Sequence, residues 1–147
     1  MSGDAGPALL AALGARLGLP GLRADAAGTC VLTIDGALDL RLVLAPGGAT
    51  LVLFAVLGTL TGTMSGTMTG TVDTPRLAAD MLRANYLWRG TDGATLSLDP
   101  EDDAVLLARR LPLAALDAPG LEDHLERFVR IATTWRARLS PPSGRCP

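Results

Sequence analysis

Apolar and polar positions follow two different periods along the chain, and these periods predict helices and strands. Residues 7–17 place their leucines on one helical stripe, with Pro7 suited to the first turn and Gly18 to the end. Residues 117–139 show a longer stripe of the same kind, which Asp117 can cap. Its apolar members are Leu121, Leu125, Phe128, Ala132, Trp135 and Leu139. The pattern therefore predicts a helix near each end of the chain.

Three strand-like runs follow the first helix. Residues 29–34 lead into Asp35-Gly36, a pair that is typical of tight hairpins. Residues 37–44 alternate between leucines and other side chains, which indicates a strand with one buried face. Residues 50–57 are apolar on both faces, as expected of a strand that is covered on both sides. Together these runs predict an antiparallel meander.

The second half of the chain also shows the helical and the strand period, which predict one helix followed by two strands. Thr74-Pro75 predicts the N-cap and first residue of a middle helix that extends to Trp88. Residues 94–99 and 104–111 predict a second hairpin. The predicted fold class is therefore α+β, with element order α-β-β-β-α-β-β-α and a mainly antiparallel sheet.

A repeat separates the third strand from the middle helix. The stretch GTLTGTMSGTMTGTVD (58–73) contains four Gly-Thr-x-x units. The chain has no lysine, which excludes a phosphate-binding P-loop, and the glycines miss the nucleophile-elbow spacing by one residue. Glycine at every fourth position raises the entropy lost on ordering. We therefore interpret residues 58–73 as a flexible linker, and residues 140–147 as a frayed tail.

Length and composition favour one domain with an apolar surface. The 147 residues are the size of an ordinary domain, so we expect a single domain over residues 1–147. Hydrophobic residues make up 48% of the chain and the mean hydropathy is +0.32. This composition favours an exposed apolar surface that binds a partner. The net charge of −2 argues against a nucleic-acid partner. The longest apolar run, residues 49–57, is too short to insert across a membrane.

Side chains that could carry chemistry form no recognisable site in the sequence. His124 is the only histidine, and with Cys30 and Cys146 it does not complete a zinc site. A hydrolase that uses His124 would need a nucleophile, and none is identifiable. The acidic run at 99–103 lacks the spacing of a calcium loop and is interpreted as a hairpin turn. We therefore expect no catalytic residue, no metal, no cofactor and no enzymatic activity.

Five segments of the chain, taken in order, carry a family resemblance. They are LLAALGARLGLPGL, GTCVLTIDGALDLRLVL, ANYLWRGTDGATLSLD, LLARRLPLAALD and LEDHLERFVRIATTWRARL, which cover about residues 8–139. Together they resemble the Tir-chaperone (CesT) family, the class I chaperones of bacterial type III secretion. The block at 84–88 with the following Gly-Thr-x-Gly-Ala is the most specific. The chain departs from the family's short Leu-Gly-x-Leu-Pro-like link, because Thr61 and further Gly-Thr units stand there.

The resemblance implies a homodimer in the bacterial cytoplasm that acts in virulence without ATP or catalysis. It implies binding of the N-terminal segment of a secreted effector in extended form, so that the effector stays soluble and competent for secretion. An extended peptide can add a strand to an exposed sheet edge and place alternate side chains in apolar pockets. The candidate effector-binding residues are Leu9, Leu13, Leu17, Leu38, Leu40 and Leu42, some of which must also be core. The dimer-interface residues implied by the resemblance are Leu82, Tyr86, Leu87, Trp88 and Leu96.

A second interpretation belongs to a different functional class. The same fold could serve as a small apolar-ligand or regulatory binding module. That interpretation predicts a pocket saturable by small molecules and no peptide partner. The chaperone interpretation predicts a stable dimer and a co-purifying protein.

Overall fold

The structure, a computed structural model, describes residues 5–60 and 74–139. Its helices and strands are α1 (Ala5–Leu17), β1 (Thr29–Ile34), β2 (Leu38–Leu44), β3 (Thr50–Thr59), α2 (Thr74–Asn85), β4 (Thr95–Leu98), β5 (Ala104–Pro112) and α3 (Ala118–Arg136). The α+β class and the order of elements predicted from the sequence are confirmed. Residues 61–73 of the predicted linker and the predicted tail at 140–147 lie outside the described residues.

The strands form a five-stranded sheet in the order β1-β2-β3-β5-β4, which places β1 and β4 at its edges. β1 pairs antiparallel with β2 so that Cys30 lies opposite Leu42. β4 pairs antiparallel with β5 so that Leu96 lies opposite Leu107. Each edge strand has a neighbouring strand on one side only, so the backbone N–H and C=O groups on its other side can pair with another chain.

Contacts within the described chain define two compact units. One contains the described residues of Met1–Phe54 and Arg109–Arg127, and the other those of Ala55–Ala108 and Phe128–Pro147. β3, β5 and α3 contribute residues to both. A single domain over residues 1–147 stays a prediction.

The first unit buries one face of α1 and one face each of β1 and β2. Its buried apolar side chains are Leu10, Leu13, Cys30, Leu32, Leu38, Leu40, Leu42, Leu51, Leu53, Leu111, Leu113, Leu121 and Leu125. Asp39 and Arg41 are exposed between the leucines of β2, which confirms the predicted alternation. The first turn of α1 lies directly on β2, because a Cβ at Gly6 would come within 2.6 Å of Leu44 Cδ2.

The predicted β1–β2 hairpin is also confirmed. Asp35 and Gly36 have φ angles of 51° and 67°, the left-handed pair that a type I′ turn requires. Ala37 donates its N–H to the Ile34 carbonyl at 3.0 Å, which closes the turn. The Asp-Gly pair therefore allows β2 to return beside β1.

The second unit buries a second apolar cluster. Its members are Ala55, Leu57, Leu60, Leu77, Met81, Ala94, Leu96, Ala104, Val105, Leu107, Phe128, Ala132, Trp135 and Leu139.

The last helix, α3, begins as predicted, since Asp117 Oδ1 accepts the N–H of Gly120 at 2.8 Å. All six apolar positions predicted for its stripe are buried.

The middle helix ends at Asn85, so the prediction that it extends to Trp88 is wrong. The residues after it form a 3-10 turn in which Leu87 and Trp88 have φ angles of 50° and 56°, an uncommon conformation for bulky side chains. The N–H of Gly90 donates to the Ala84 carbonyl at 3.0 Å. A Cβ at Gly90 would lie 2.8 Å from Ala84 Cα, so the close approach needs glycine. These contacts end the helix although the apolar pattern continues.

Candidate functional site

Strand β1 has an outer edge in the first unit. Leu44 donates its N–H to the Gly28 carbonyl at 2.8 Å, and this bond sets the alternation of hydrogen-bonded pairs along β1 and β2. By that alternation the even-numbered residues of β1 bond to β2. The odd-numbered residues direct their N–H and C=O groups away from the sheet, and they are Thr29, Val31 and Thr33.

The first outward position on β1 is already occupied. The backbone N–H of Asp25 donates to the Thr29 carbonyl at 2.8 Å, and Asp25 Oδ1 accepts the Thr29 N–H at 2.9 Å. The outward backbone groups of Val31 and Thr33 have no such partner among the described residues. The Val31 side chain is 48% exposed. The edge therefore offers two successive positions to an added strand.

The side chains near this edge combine apolar and polar contacts. The Thr33 hydroxyl donates to Asp39 Oδ1 at 2.7 Å. On the same face the Arg41 guanidinium lies 5.8 Å from the centroid of the Phe54 ring. A peptide along β1 would thus meet an exposed valine beside a polar pair.

The effector-binding leucines predicted from the sequence divide into surface and core residues. Leu17 is exposed, and Leu9 is half-buried. The other four have at most 4% exposure, and they are Leu13, Leu38, Leu40 and Leu42. Closely packed core side chains cannot reach a peptide unless their neighbours move. The structure therefore places these four in the core, and effector binding by any of the six stays a prediction.

Strand β4, at the other edge of the sheet, lies in the second unit. Asp99 donates its N–H to the Ala104 carbonyl at 2.8 Å, and this bond sets the alternation along β4 and β5. The outward backbone groups of β4 are consequently those of Leu96 and Leu98. The side chain of Asn85 binds both groups of Leu96: Nδ2 donates to the carbonyl at 2.9 Å, and Oδ1 accepts the N–H at 2.9 Å. The two edges of the sheet thus differ in access.

An apolar surface lies where α2 ends. We call Leu82, Tyr86, Leu87 and Trp88 the exposed cluster, since their exposed fractions are 73%, 64%, 58% and 53%. Trp88 Nε1 donates to the Thr95 hydroxyl at 3.1 Å, which attaches the turn to β4. Contiguous exposed apolar surface of this kind marks a contact site for another molecule.

Leu96, the remaining dimer-interface residue of the sequence prediction, differs from the exposed cluster. Its side chain is only 4% exposed. It is a core residue of the second unit, so the structure places it beneath the surface. A role for it at a dimer interface stays a prediction.

The side chains considered for chemistry do not converge. No group of three or more His, Cys, Asp or Glu residues within 5–60 and 74–139 is arranged to hold a metal ion. His124 is half-buried on α3. Burial raises the pKa of the Cys30 thiol, which disfavours the reactive thiolate. Asp99 and Asp102 each accept a backbone N–H within the β4–β5 turn, at 2.8 and 3.0 Å, so the acidic run is a hairpin turn as predicted.

In the described part of the chain, no helix is both long and apolar enough to cross a bilayer.

Sequence reasoning did not identify Val31 or Asn85 as site residues. Val31 was not distinguished from the other apolar residues of its strand, because the alternation of side chains does not reveal which strand lies at the edge of the sheet. For Asn85 the sequence did contain a signal. It is the only side-chain amide in the chain, which has no glutamine. An amide side chain carries the same donor and acceptor as a peptide group.

Comparison with known proteins gives one family. The sequence matches the model of the Tir chaperone protein (CesT) family over residues 8–136, most of the chain. No curated protein matches the chain in sequence.

Solved structures similar to this fold come from chaperone and secretion complexes. The HopA1-SchA chaperone-effector complex contains a chain with TM-score 0.73 and 23% identity, covering 93% of this chain and 97% of that one. The Yersinia pestis type III secretion chaperone SycH, in complex with a fragment of YscM2, gives TM-score 0.67 and 25% identity, with 88% and 98% covered. The ExsC-ExsE complex gives TM-score 0.70 and 22% identity, with 98% of each chain covered. The described fold is therefore the fold of these chains.

Proposed function

The chain belongs to the Tir chaperone protein (CesT) family, and from that premise we propose that it is a type III secretion chaperone. It binds the N-terminal segment of a secreted effector in extended form. Binding keeps the effector soluble and competent for secretion, and it uses neither ATP nor catalysis. The site of action is the bacterial cytoplasm.

The observation that carries this proposal is the open edge of β1. Val31 and Thr33 present outward N–H and C=O groups, and these match the hydrogen-bonding pattern of an extended peptide. Backbone hydrogen bonds supply affinity without demanding one sequence. The exposed Val31 side chain supplies an apolar contact on the same strand.

The exposed cluster supports the second part of the proposal, which is a homodimer. Its four side chains are apolar or aromatic, and two of them are large rings of the kind that dominate protein interfaces. A second copy of the chain that covers this surface would remove it from water. In the proposed complex, two copies of the chain carry one effector segment.

A small-ligand module is less well supported by the described surface. A groove at the exposed cluster is open to solvent, and it is lined by Leu82, Arg83 and Tyr86. Small-molecule sites are usually enclosed enough to bury most of the ligand. An open groove beside exposed aromatic side chains suits a protein surface better.

The test is capture of partners by the tagged chain from its own bacterium under secretion-inducing conditions. Mass spectrometry identifies the bound protein, and light scattering measures the mass of the complex. The captured protein is then expressed with and without its N-terminal segment. We expect one dominant partner, two copies of this chain in the complex, and loss of binding when that segment is removed.

Two results would overturn the proposal. One is a chain that carries no protein partner under those conditions. The other is a partner that binds equally well without its N-terminal segment. Saturable binding of a small apolar molecule in place of a protein would instead establish the binding-module interpretation.

A further inference from the structure

Two bulky residues after the end of α2 hold a backbone conformation that such side chains rarely adopt. Leu87 and Trp88 have φ angles of 50° and 56°, in the left-handed region that a Cβ disfavours. Both side chains are more than half exposed, so their own burial does not hold the turn in place. A disfavoured conformation persists only where the surrounding contacts fix the chain on either side. The contacts that fix this turn therefore control how the exposed cluster is presented.

The amide of Asn85, the last residue of α2, fixes the chain before the turn. Its Nδ2 donates to the Leu96 carbonyl and its Oδ1 accepts the Leu96 N–H, each at 2.9 Å. The two bonds join the end of the helix to β4 across 11 positions of the chain. Because a donor and an acceptor are bound together, the amide fixes the orientation of β4 as well as its distance from α2.

Other bonds hold the chain between Asn85 and β4. Trp88 Nε1 donates to the Thr95 hydroxyl at 3.1 Å, and this bond is exposed to water. The Thr91 hydroxyl, on a buried side chain, donates to the Ala94 carbonyl only three positions away. The Asn85 bonds are part-buried and span the whole segment. Water competes less for part-buried bonds, so Asn85 makes the strongest of these attachments between α2 and β4.

We propose that Asn85 is a positioning residue for the homodimer: its amide orders the turn and β4 before two copies meet, so that the exposed cluster forms one surface in advance. The role rests on the proposed homodimer, and Asn85 itself needs no contact with the second copy. Association costs less when the contacting segment is already ordered, because its conformational entropy has been lost during folding.

A purely structural role for Asn85 would be to attach α2 to β4 and so stabilise the second unit. That role predicts a lower Tm and an unchanged dimer dissociation constant. Positioning predicts weaker dimerisation of chains that remain folded. The dissociation constant, measured well below the Tm, therefore separates the two roles.

The first experiment measures the dimer dissociation constant by sedimentation over a range of concentrations. Asn85→Ala removes the amide and keeps a good helix former. We expect the dissociation constant to rise about tenfold or more, because residues 86–94 must then be ordered during association. Leu77→Ala is the matched control for stability, since Leu77 is a buried residue of the same helix. It should lower the Tm and leave the dissociation constant within about twofold of that of the unaltered chain.

Asn85→Asp adds a pH profile that a stabilising role alone would not produce. At neutral pH its carboxylate can accept the Leu96 N–H but cannot donate to the Leu96 carbonyl. Protonation places a donor beside an acceptor again, so the dimer should regain affinity as the pH falls from 7 toward about 4. Asn85→Ala, measured over the same range, corrects for other groups that titrate. The ratio of the dissociation constant of Asn85→Asp to that of Asn85→Ala should fall at least about threefold, and a ratio independent of pH would overturn the proposal.

Amide hydrogen exchange by NMR tests the attachment in the unaltered chain. We expect the Leu96 amide to exchange roughly tenfold or more slowly than in Asn85→Ala. Equal rates would mean that Asn85 does not hold β4, which would also overturn the positioning role.

Failure of the positioning role is distinguishable from failure of the homodimer. An unaltered chain that is monomeric at every concentration would remove the homodimer, and this role with it. A dimeric unaltered chain whose dissociation constant is unchanged by Asn85→Ala would leave the homodimer intact and overturn the positioning role alone.

Discussion

Arg138 donates a hydrogen bond to Asp80, with 2.7 Å between Nη2 and Oδ2, although 58 residues separate the two along the chain. Asp80 also accepts a hydrogen bond from Arg83, one turn further along α2, at 2.9 Å. The Arg138 guanidinium lies 4.7 Å from the centroid of the Trp135 ring. One carboxylate thus joins α2 to the segment after α3 within the second unit.

This arrangement predicts a pH-dependent contribution to stability. The hydrogen bond from Arg138, followed by that from Arg83, lowers the pKa of Asp80 below its ordinary value of 3.8. A carboxyl group with a depressed pKa in the folded state stabilises the fold above its unfolded pKa. That stabilisation is lost as the pH falls through the folded pKa, in the acidic range below 3.8.

Asp80→Asn tests this contribution. We expect a lower Tm than that of the unaltered chain at neutral pH, and Tm values that converge as the pH falls through the lowered pKa of Asp80. Thermal melts followed by circular dichroism measure both. Asp123→Asn removes an i,i+4 ion pair within α3 and should have a smaller effect at every pH. A Tm difference that stays constant across the whole pH range would show that the ion pairs of Asp80 are not its cause.

Trp88→Asp should split the proposed homodimer. A charge placed in a desolvated apolar contact costs several kcal/mol, which corresponds to a loss of about 100-fold or more in dimer affinity. The fold should survive because Trp88 has a φ of 56°, and aspartate tolerates that conformation better than tryptophan does. Light scattering or sedimentation at several concentrations measures the effect.

The control for that variant is Val56→Asp, an exposed apolar residue of β3 outside the exposed cluster with a similar exposed fraction of 50%. It should leave the mass unchanged. If Trp88→Asp keeps the dimer mass while Val56→Asp lowers it, the exposed cluster is not the interface.

Val31→Pro should weaken capture of the effector segment by roughly tenfold or more, since it removes an outward N–H and places a ring at the open edge. The N–H of Val31 does not bond to β2, so the sheet itself should persist. Leu98→Pro is the matched control, because it makes the same change at an exposed apolar residue of the other edge strand. Affinity measured by isothermal titration with the captured partner should fall only for Val31→Pro. An equal fall for both variants, or none for either, would contradict strand addition at β1.

Leu13→Ala and Leu17→Ala should separate core from surface on α1. Leu13 is fully buried, and its truncation should cost about 2–5 kcal/mol of unfolding free energy. Leu17 is 37% exposed, so its truncation should cost less than about 1 kcal/mol. Urea denaturation measures both changes. Leu17→Asp, with the fold intact, then shows whether this residue contributes to effector binding.

Sequence patterns by themselves determined the class of the fold and the order of its elements. Alternation in β2 and the apolar stripe of α3 reflect the geometry of single elements, which depends on nearby residues alone. Asp117 and the Asp35-Gly36 pair act within a few residues, so their cap and turn could also be predicted. The four members of the exposed cluster were predicted, together with Leu96, as dimer-interface residues from a family resemblance.

Tertiary structure alone decided which of these residues reach the surface. Leu38, Leu40 and Leu42 share a face by alternation, but their burial depends on what covers that face. The family resemblance grouped Leu96 with the members of the exposed cluster as an interface residue, yet its side chain lies in the core of the second unit.

The end of α2 and the access to each sheet edge also depended on distant contacts. Asn85 binds a strand residue 11 positions away, and a local pattern carries no information about such a partner. Position at an edge is a property of the whole sheet, since it depends on which strands pair and which backbone groups remain without a neighbour. The sequence therefore determined the elements through local geometry, whereas burial and edge access arose only when residues distant in the chain were brought together.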